Sequence, residues 1–187
     1  SHSGVRALCN HSRNLDDEQL LALKKNGGVV QLVAFNGYVK TPTPDSPERA
    51  AAVVELRRQF GFGAGQGGAR RTAGTQPNDS AFAAYRLKLA ELDAKFPPSP
   101  RATVSDFVDH IDYVVKVIGI EHAGISSDFD GGGGIVGFNN ASESFNVTLE
   151  LVRRGYGEKD IIAMWGGNLL RVMEQVEKVA KQIQAGR

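Results

Sequence analysis

A single cysteine, Cys9, rules out an intramolecular disulfide and any cysteine-built zinc cluster. Histidine is nearly as scarce, with only His2, His11, His110 and His122. A histidine-rich metal site would have to be assembled from these or be incomplete. No run approaches the roughly 18 consecutive apolar residues of a membrane-spanning helix. The first residues carry no signal-peptide pattern, and the polar tail Lys181–Arg187 carries no lipid-anchor signal. Ser1 rather than Met stands first, which leaves the compartment open. Neither sign of charge dominates: 22 Lys+Arg face 21 Asp+Glu, a formal net charge of +1. A generic nucleic-acid binder working by phosphate neutralisation is thereby disfavoured. No P-loop, nucleophile elbow or Ser-His-Asp arrangement is visible. Length is also lacking. The 187 residues suffice for one ordinary domain or two small ones. They fall short of a complete (β/α)8 barrel, which takes about 250.

What is present is enough apolar material for a core, 41% of residues. Asn14 to Gly28 reads as a helix: Asp16 and Gln19 have capping-box spacing, and Gly27-Gly28 stops it. Val29 to Phe35 follows, β-branched and nearly all apolar, as a buried parallel strand should be. Pro47 to Gln59 and Ser80 to Lys95 are predicted helices, the second ended by Phe96-Pro97-Pro98-Ser99-Pro100. Between them, Gly61 to Gln76 lacks periodicity and reads as a mobile loop. Thr103 to Ile118 has the clearest helical spacing, with Val104, Phe107, Val108, Ile111, Val114, Val115 and Ile118 on one side. Ala123 to Ser127 is a short strand, and Gly131 to Gly134 a flexible loop. Ser142 to Arg154, Glu158 to Trp165 and a long helix from Asn168, capped by that residue, close the chain. Buried strands separated by helices predict an α/β protein with a parallel sheet.

Asp128-Phe129-Asp130 sits just beyond the second predicted strand, where ligands bind in open α/β sheets and barrels. A carboxylate there can shuttle a proton, ligate a metal, or simply cap a loop. Gly132, two residues after Asp130, breaks the EF-hand calcium pattern. Arg13 is either a fork for a substrate carboxylate or an exposed arginine before a helix. His2 alone is more often structural than a ligand. Gly63 to Gly68 matches GxGxxG but follows a helix, so the context rejects dinucleotide binding. His110 is placed on the polar face of its helix, with surface hydrogen bonds. His122 precedes its strand, on the stability side of such folds, and nothing fixes His11 at a site. Asn10, Asn78, Asn140 and Asn146 begin formal N-glycosylation sequons, which matter only in a eukaryotic secretory protein.

Ser1-His2-Ser3 followed by Arg13-Asn14 before a capped helix resembles the zinc-dependent membrane-dipeptidase (renal dipeptidase) family. So do Thr103-Val104-Ser105-Asp106 leading into Asp109-His110-Ile111-Asp112, and the run Gly119 to Gly131 containing Ser126-Ser127-Asp128-Phe129-Asp130. Leu151 to Tyr156 and Gly166 to Val172 are similar to that family's closing helices. The motifs occur in the family's order, at both ends of the chain. Residues 40–100 depart from its short members and look like an insertion.

The resemblance implies the C-terminal part of a (β/α)8 TIM barrel of the metal-dependent hydrolase type, beginning at about the sixth strand. It implies two zinc ions, held by His-x-Asp, a bridging Glu and two later histidines, of which His2 matches the last. It implies Asp128 as the catalytic aspartate, Arg13 as the group binding the substrate's terminal carboxylate, and Tyr38 as a residue lining the substrate pocket. The expected reaction is dipeptide hydrolysis by the full-length enzyme, with the 187-residue chain alone inactive. The expected protein partner is a second copy or the missing N-terminal half of the barrel. The alternatives are a non-catalytic barrel piece acting in interactions, and another metal-dependent amidohydrolase.

Overall fold

The computed structural model describes residues 2–62 and 79–186. The GxGxxG stretch, most of the Gly61–Gln76 run and the Asn78 sequon lie outside the described residues. By chain contacts the protein divides into two compact units, Ser1–Thr41 with Arg101–Arg187, and Pro42–Pro100.

The larger unit is built on three strands, β1 (His2–Ser3), β2 (Val30–Val33) and β3 (Ala123–Ser126). They form one parallel sheet in the order β1-β2-β3. β1 is not predicted from sequence, because two paired residues are too short to show a period. The register sets His2 beside Gln31 and Gln31 beside Gly124. Val30, Leu32, Ala123 and Ile125 are buried.

Between the strands run α1 (Asp17–Asn26), the short α2 (Asn36–Val39) and α5 (Val104–Ile118). The Asp16/Gln19 capping box forms as expected, and Gly27 closes α1 in the left-handed conformation with φ of 76°. Thr103 and Asp106 cap α5 reciprocally. Phe107, Val108, Ile111, Val114 and Ile118 are fully buried along its inner face. Val104 and Val115 flank that stripe and are only half-buried. All the fully apolar core around the sheet belongs to the larger unit.

After β3 come α6 (Ser144–Arg153), α7 (Glu158–Ile162) and α8 (Asn168–Ala185). Asn168 does not cap α8. Helical geometry passes from α7 through a π-helical turn, Ala163–Gly167, so no chain end is there to cap. The π turn instead lets buried Asn168 donate from Nδ2 to the carbonyls of Ile120 and Ala123, at the entry to β3. Arg154, after α6, pairs with Asp109, Asp112 and Glu150, which fastens α6 to α5.

The smaller unit contains α3 (Pro47–Gln59) and α4 (Asp79–Lys95). Buried Arg49 joins them: Nη1 donates to Asp93 and to the Phe96 carbonyl, and Nε lies 3.1 Å from Asp45. Phe60, Phe62, Phe82 and Tyr85 make a second, aromatic contact. Among the described residues no helix is long and apolar enough to cross a membrane.

Candidate active site

The segment from Gly4 to Asn14 leaves β1 without regular structure, and Asn14 makes the most hydrogen bonds that hold it. Asn14 is 1% exposed. Its Oδ1 accepts from the Gly4 N–H at 2.9 Å, and its Nδ2 donates to the carbonyls of Cys9 and Tyr38, each at 2.8 Å. An amide carries both donor and acceptor, so this position satisfies main-chain groups of its own segment and of α2 at once. Ser3 Oγ donates to the Arg13 carbonyl at 2.7 Å, which ties the residue before Asn14 to the strand.

Arg13 and Tyr38 are thereby brought together. The Arg13 guanidinium lies 5.7 Å from the centre of the Tyr38 ring, within cation–π range. Phe35 stacks on Tyr38 from β2's exit, with ring centres 4.4 Å apart. Arg13 itself is exposed.

His2 and Asp128 also meet. His2 Nε2 lies 3.6 Å from Asp128 Oδ2, and both side chains are only partly exposed. Asp128 is the one described residue other than glycine with positive φ, 54°. Its backbone is held there by the glycines that follow: Gly131 N–H and Gly133 N–H both donate to the Asp128 carbonyl, at 3.0 and 2.7 Å. A Cβ on Gly133 would overlap the Ser127 carbonyl, so the turn admits no side chain there. The four-glycine stretch is therefore not free. Gly134 N–H donates to Ala34 at 2.7 Å, and Arg101 grips the Gly134 carbonyl at 2.8 Å. Glycine serves here for close approach rather than for flexibility.

A family model described as membrane dipeptidase, peptidase family M19, matches residues 1–187. The chain belongs to the membrane dipeptidase family. Dipeptidase aclJ of Aspergillus oryzae is 29% identical over 184 residues, 98% of this chain and 31% of that protein. Dipeptidase 3 of Rattus norvegicus is 28% identical over 183 residues, 97% of this chain and 26% of that protein. Less than a third of each curated relative's length is thus spanned. Among solved structures, the probable dipeptidase PvdM from Pseudomonas aeruginosa is 37% identical, with a TM-score of 0.64, covering 95% of this chain and 44% of that one. A metallo peptidase from Rhodobacter sphaeroides, liganded with a phosphinate mimic of the dipeptide L-Ala-D-Ala, shares the fold at 18% identity and a TM-score of 0.56. It covers 92% of this chain and 34% of its own.

The membrane dipeptidase relatives account for the mixed helix and strand fold; a closed barrel is not present in the described residues. Among those residues no group of three or more His, Cys, Asp or Glu side chains is arranged to hold a metal ion. The other histidines serve structure or stand beside the site. His110 is not on a polar surface, as its sequence neighbours suggest; it is 1% exposed. Its Nδ1 accepts from the Val5 N–H and its Nε2 donates to the Val39 carbonyl, both at 2.9 Å. The spacing Phe107, His110, Val114 places it within the apolar stripe, a signal that polarity alone masks. His122 is buried and its Nδ1 meets the Gly28 carbonyl at 2.7 Å, at the opposite end of β3 from Asp128. His11 lies against Tyr38, with ring centres 4.5 Å apart.

Proposed function

We propose that this chain is the C-terminal part of a (β/α)8 dipeptidase barrel, that residues 40–100 are an insertion in it, and that the full-length enzyme hydrolyses dipeptides at a binuclear zinc site. The observation that carries the reading is the approach of His2, on β1, to Asp128, two residues past the end of β3 in the same parallel sheet, at 3.6 Å. An imidazole nitrogen beside a carboxylate is a donor set suited to a zinc ion and the water it activates. Family membership and the metallo peptidase that shares the fold point the same way.

In this reading His2 supplies one ligand, and the remaining ligands come from chain outside these residues. When bound, the metal pair supplies an acidified water and polarises the scissile carbonyl. Asp128 orients that water, takes its proton, and hands it to the leaving amine. Its left-handed backbone, fixed by the glycine turn, holds the carboxylate against His2 rather than out in solvent. Arg13 binds the free carboxylate of the substrate through two parallel hydrogen bonds. Tyr38 braces the guanidinium from one face and lines the pocket. A carboxylate recognised at a fixed distance from the scissile bond selects dipeptides over longer chains.

The test is Asp128→Asn in the full-length enzyme. The amide keeps the shape and loses the base. We expect kcat to fall by about 100-fold or more, the usual scale for a positioned acid–base group, with KM little changed. A loss confined to KM would make Asp128 a binding residue and sink the assignment.

A further inference from the structure

His11 is a histidine that neither the metal site nor the core uses. It stands two residues before Arg13, on the segment that Asn14 anchors. Its Nδ1 accepts a hydrogen bond from the Arg13 main-chain N–H at 3.1 Å. Its ring lies against Tyr38 at 4.5 Å between centres, inclined by 39°. The Arg13 guanidinium lies 5.7 Å from the centre of the same Tyr38 ring. One histidine therefore touches both partners of the cation–π pair: the main chain of one and the ring of the other.

This geometry fixes the chemistry of the imidazole. A ring nitrogen that accepts an N–H carries no proton of its own, so the neutral ring bears its hydrogen on Nε2. Arg13 is exposed and has several rotatable bonds, so an unbraced guanidinium would lose much of its binding strength to ordering on contact with substrate. Holding its main chain and its aromatic platform in one relation removes part of that cost.

We propose that His11 is a positioning residue for carboxylate recognition: it locks the Arg13 main chain to the Tyr38 ring and so preorganises the guanidinium. This rests on the dipeptidase reading of the site. His11 acts on the affinity for the substrate's C-terminal carboxylate and not on the bond-breaking step.

The test uses the full-length enzyme and a phosphinate dipeptide isostere, which binds without turning over, in two forms, with a C-terminal carboxylate and with a C-terminal amide. Titration calorimetry reads their affinities, and steady-state kinetics on a dipeptide gives kcat and KM. For His11→Ala we expect carboxylate-isostere binding to weaken about tenfold, amide-isostere binding to stay within about twofold, KM to rise in step and kcat to hold. His11→Asn retains a side-chain acceptor for the Arg13 N–H and restores most of the affinity. Equal weakening of both isosteres, or a fall in kcat at constant KM, would overturn the proposal. So would an alanine variant that binds as wild type, or an asparagine variant no better than alanine. A wild-type enzyme that neither cleaves dipeptides nor binds either isostere would instead remove the dipeptidase reading itself.

Discussion

His110 joins main-chain groups from two segments, Val5 after β1 and Val39 at the end of α2, and it does so as a neutral ring. Burial pushes its pKa below the ordinary histidine value, with the Val39 hydrogen bond and the carboxylates of Asp109 and Asp106 acting the other way. The unfolded chain protonates this histidine near its usual pKa of about 6.5, while the folded protein resists until a lower pH. Below about pH 6.5 the unfolded state therefore binds more protons, and stability falls as pH falls. The stability this residue contributes is complete above that pH. Urea unfolding at about pH 7.5 and about pH 5.5 checks it: wild type should lose stability on acidification, and His110→Gln should lose less. An unchanged pH difference in the variant would assign the loss to other groups. Asn14 works on the same scale. Its short amide does for the β1 exit what a regular element would do elsewhere, satisfying main-chain groups that sequence pattern alone assigns to no element.

At the scale of elements, α5 shows why some of the fold was legible and some was not. Its ends are written in Thr103, Asp106 and Gly119, and its inner face in the spacing of Phe107, Val108, Ile111, Val114 and Ile118. Local signals of this kind also placed α1, α3 and β2 to within a few residues. Two elements lacked such signals. β1 is two residues long, and its strand character comes wholly from pairing with β2. The π turn before α8 has no local cap, because Asn168 is taken by carbonyls 45 and 48 residues away. At the site, Asp128 stood out by its place after a strand, and Arg13, Tyr38 and His2 by likeness to a family. The 3.6 Å approach of His2 to Asp128 is a tertiary fact between residues 126 positions apart. The α5 cap yields a direct check. Thr103→Ala removes the hydroxyl that accepts from Asp106 N–H and donates to the Asp106 carboxylate. We expect a stability loss of about 1 kcal/mol, with Thr103→Ser recovering most of it. A change under about 0.3 kcal/mol would mean that the cap is idle.

At the scale of the whole molecule, two features bear on what this chain is. A catalytic zinc site takes about three protein ligands per ion, and His2 as the one ligand falls well short of a pair of such sites. Titrating the 187-residue chain with zinc should therefore show no tight two-ion uptake. Nanomolar binding of two ions would overturn the view that the remaining ligands lie elsewhere. The second feature is the segment between the two halves of the larger unit. Residues Pro42–Pro100 form their own compact unit, and the core cluster around the sheet draws no residue from it. The flanks are joined directly: Asn36 Oδ1 accepts from the Ala102 N–H at 2.7 Å, and Lys40 pairs with Asp106 at 3.0 Å. These bonds close the neck on the larger unit's side. If residues 40–100 are an insertion, replacing 43–99 by a short Gly-Ser linker in the full-length protein should leave the sheet and its core intact. Closing a shorter loop changes the folding free energy only slowly with length, by about 0.6 kcal/mol per halving, and in the stabilising direction. The shortened protein should unfold cooperatively at a midpoint within a few degrees of wild type, and the calorimetric enthalpy should fall because fewer residues unfold. Loss of cooperative unfolding would show that the segment is part of the fold and not an addition to it.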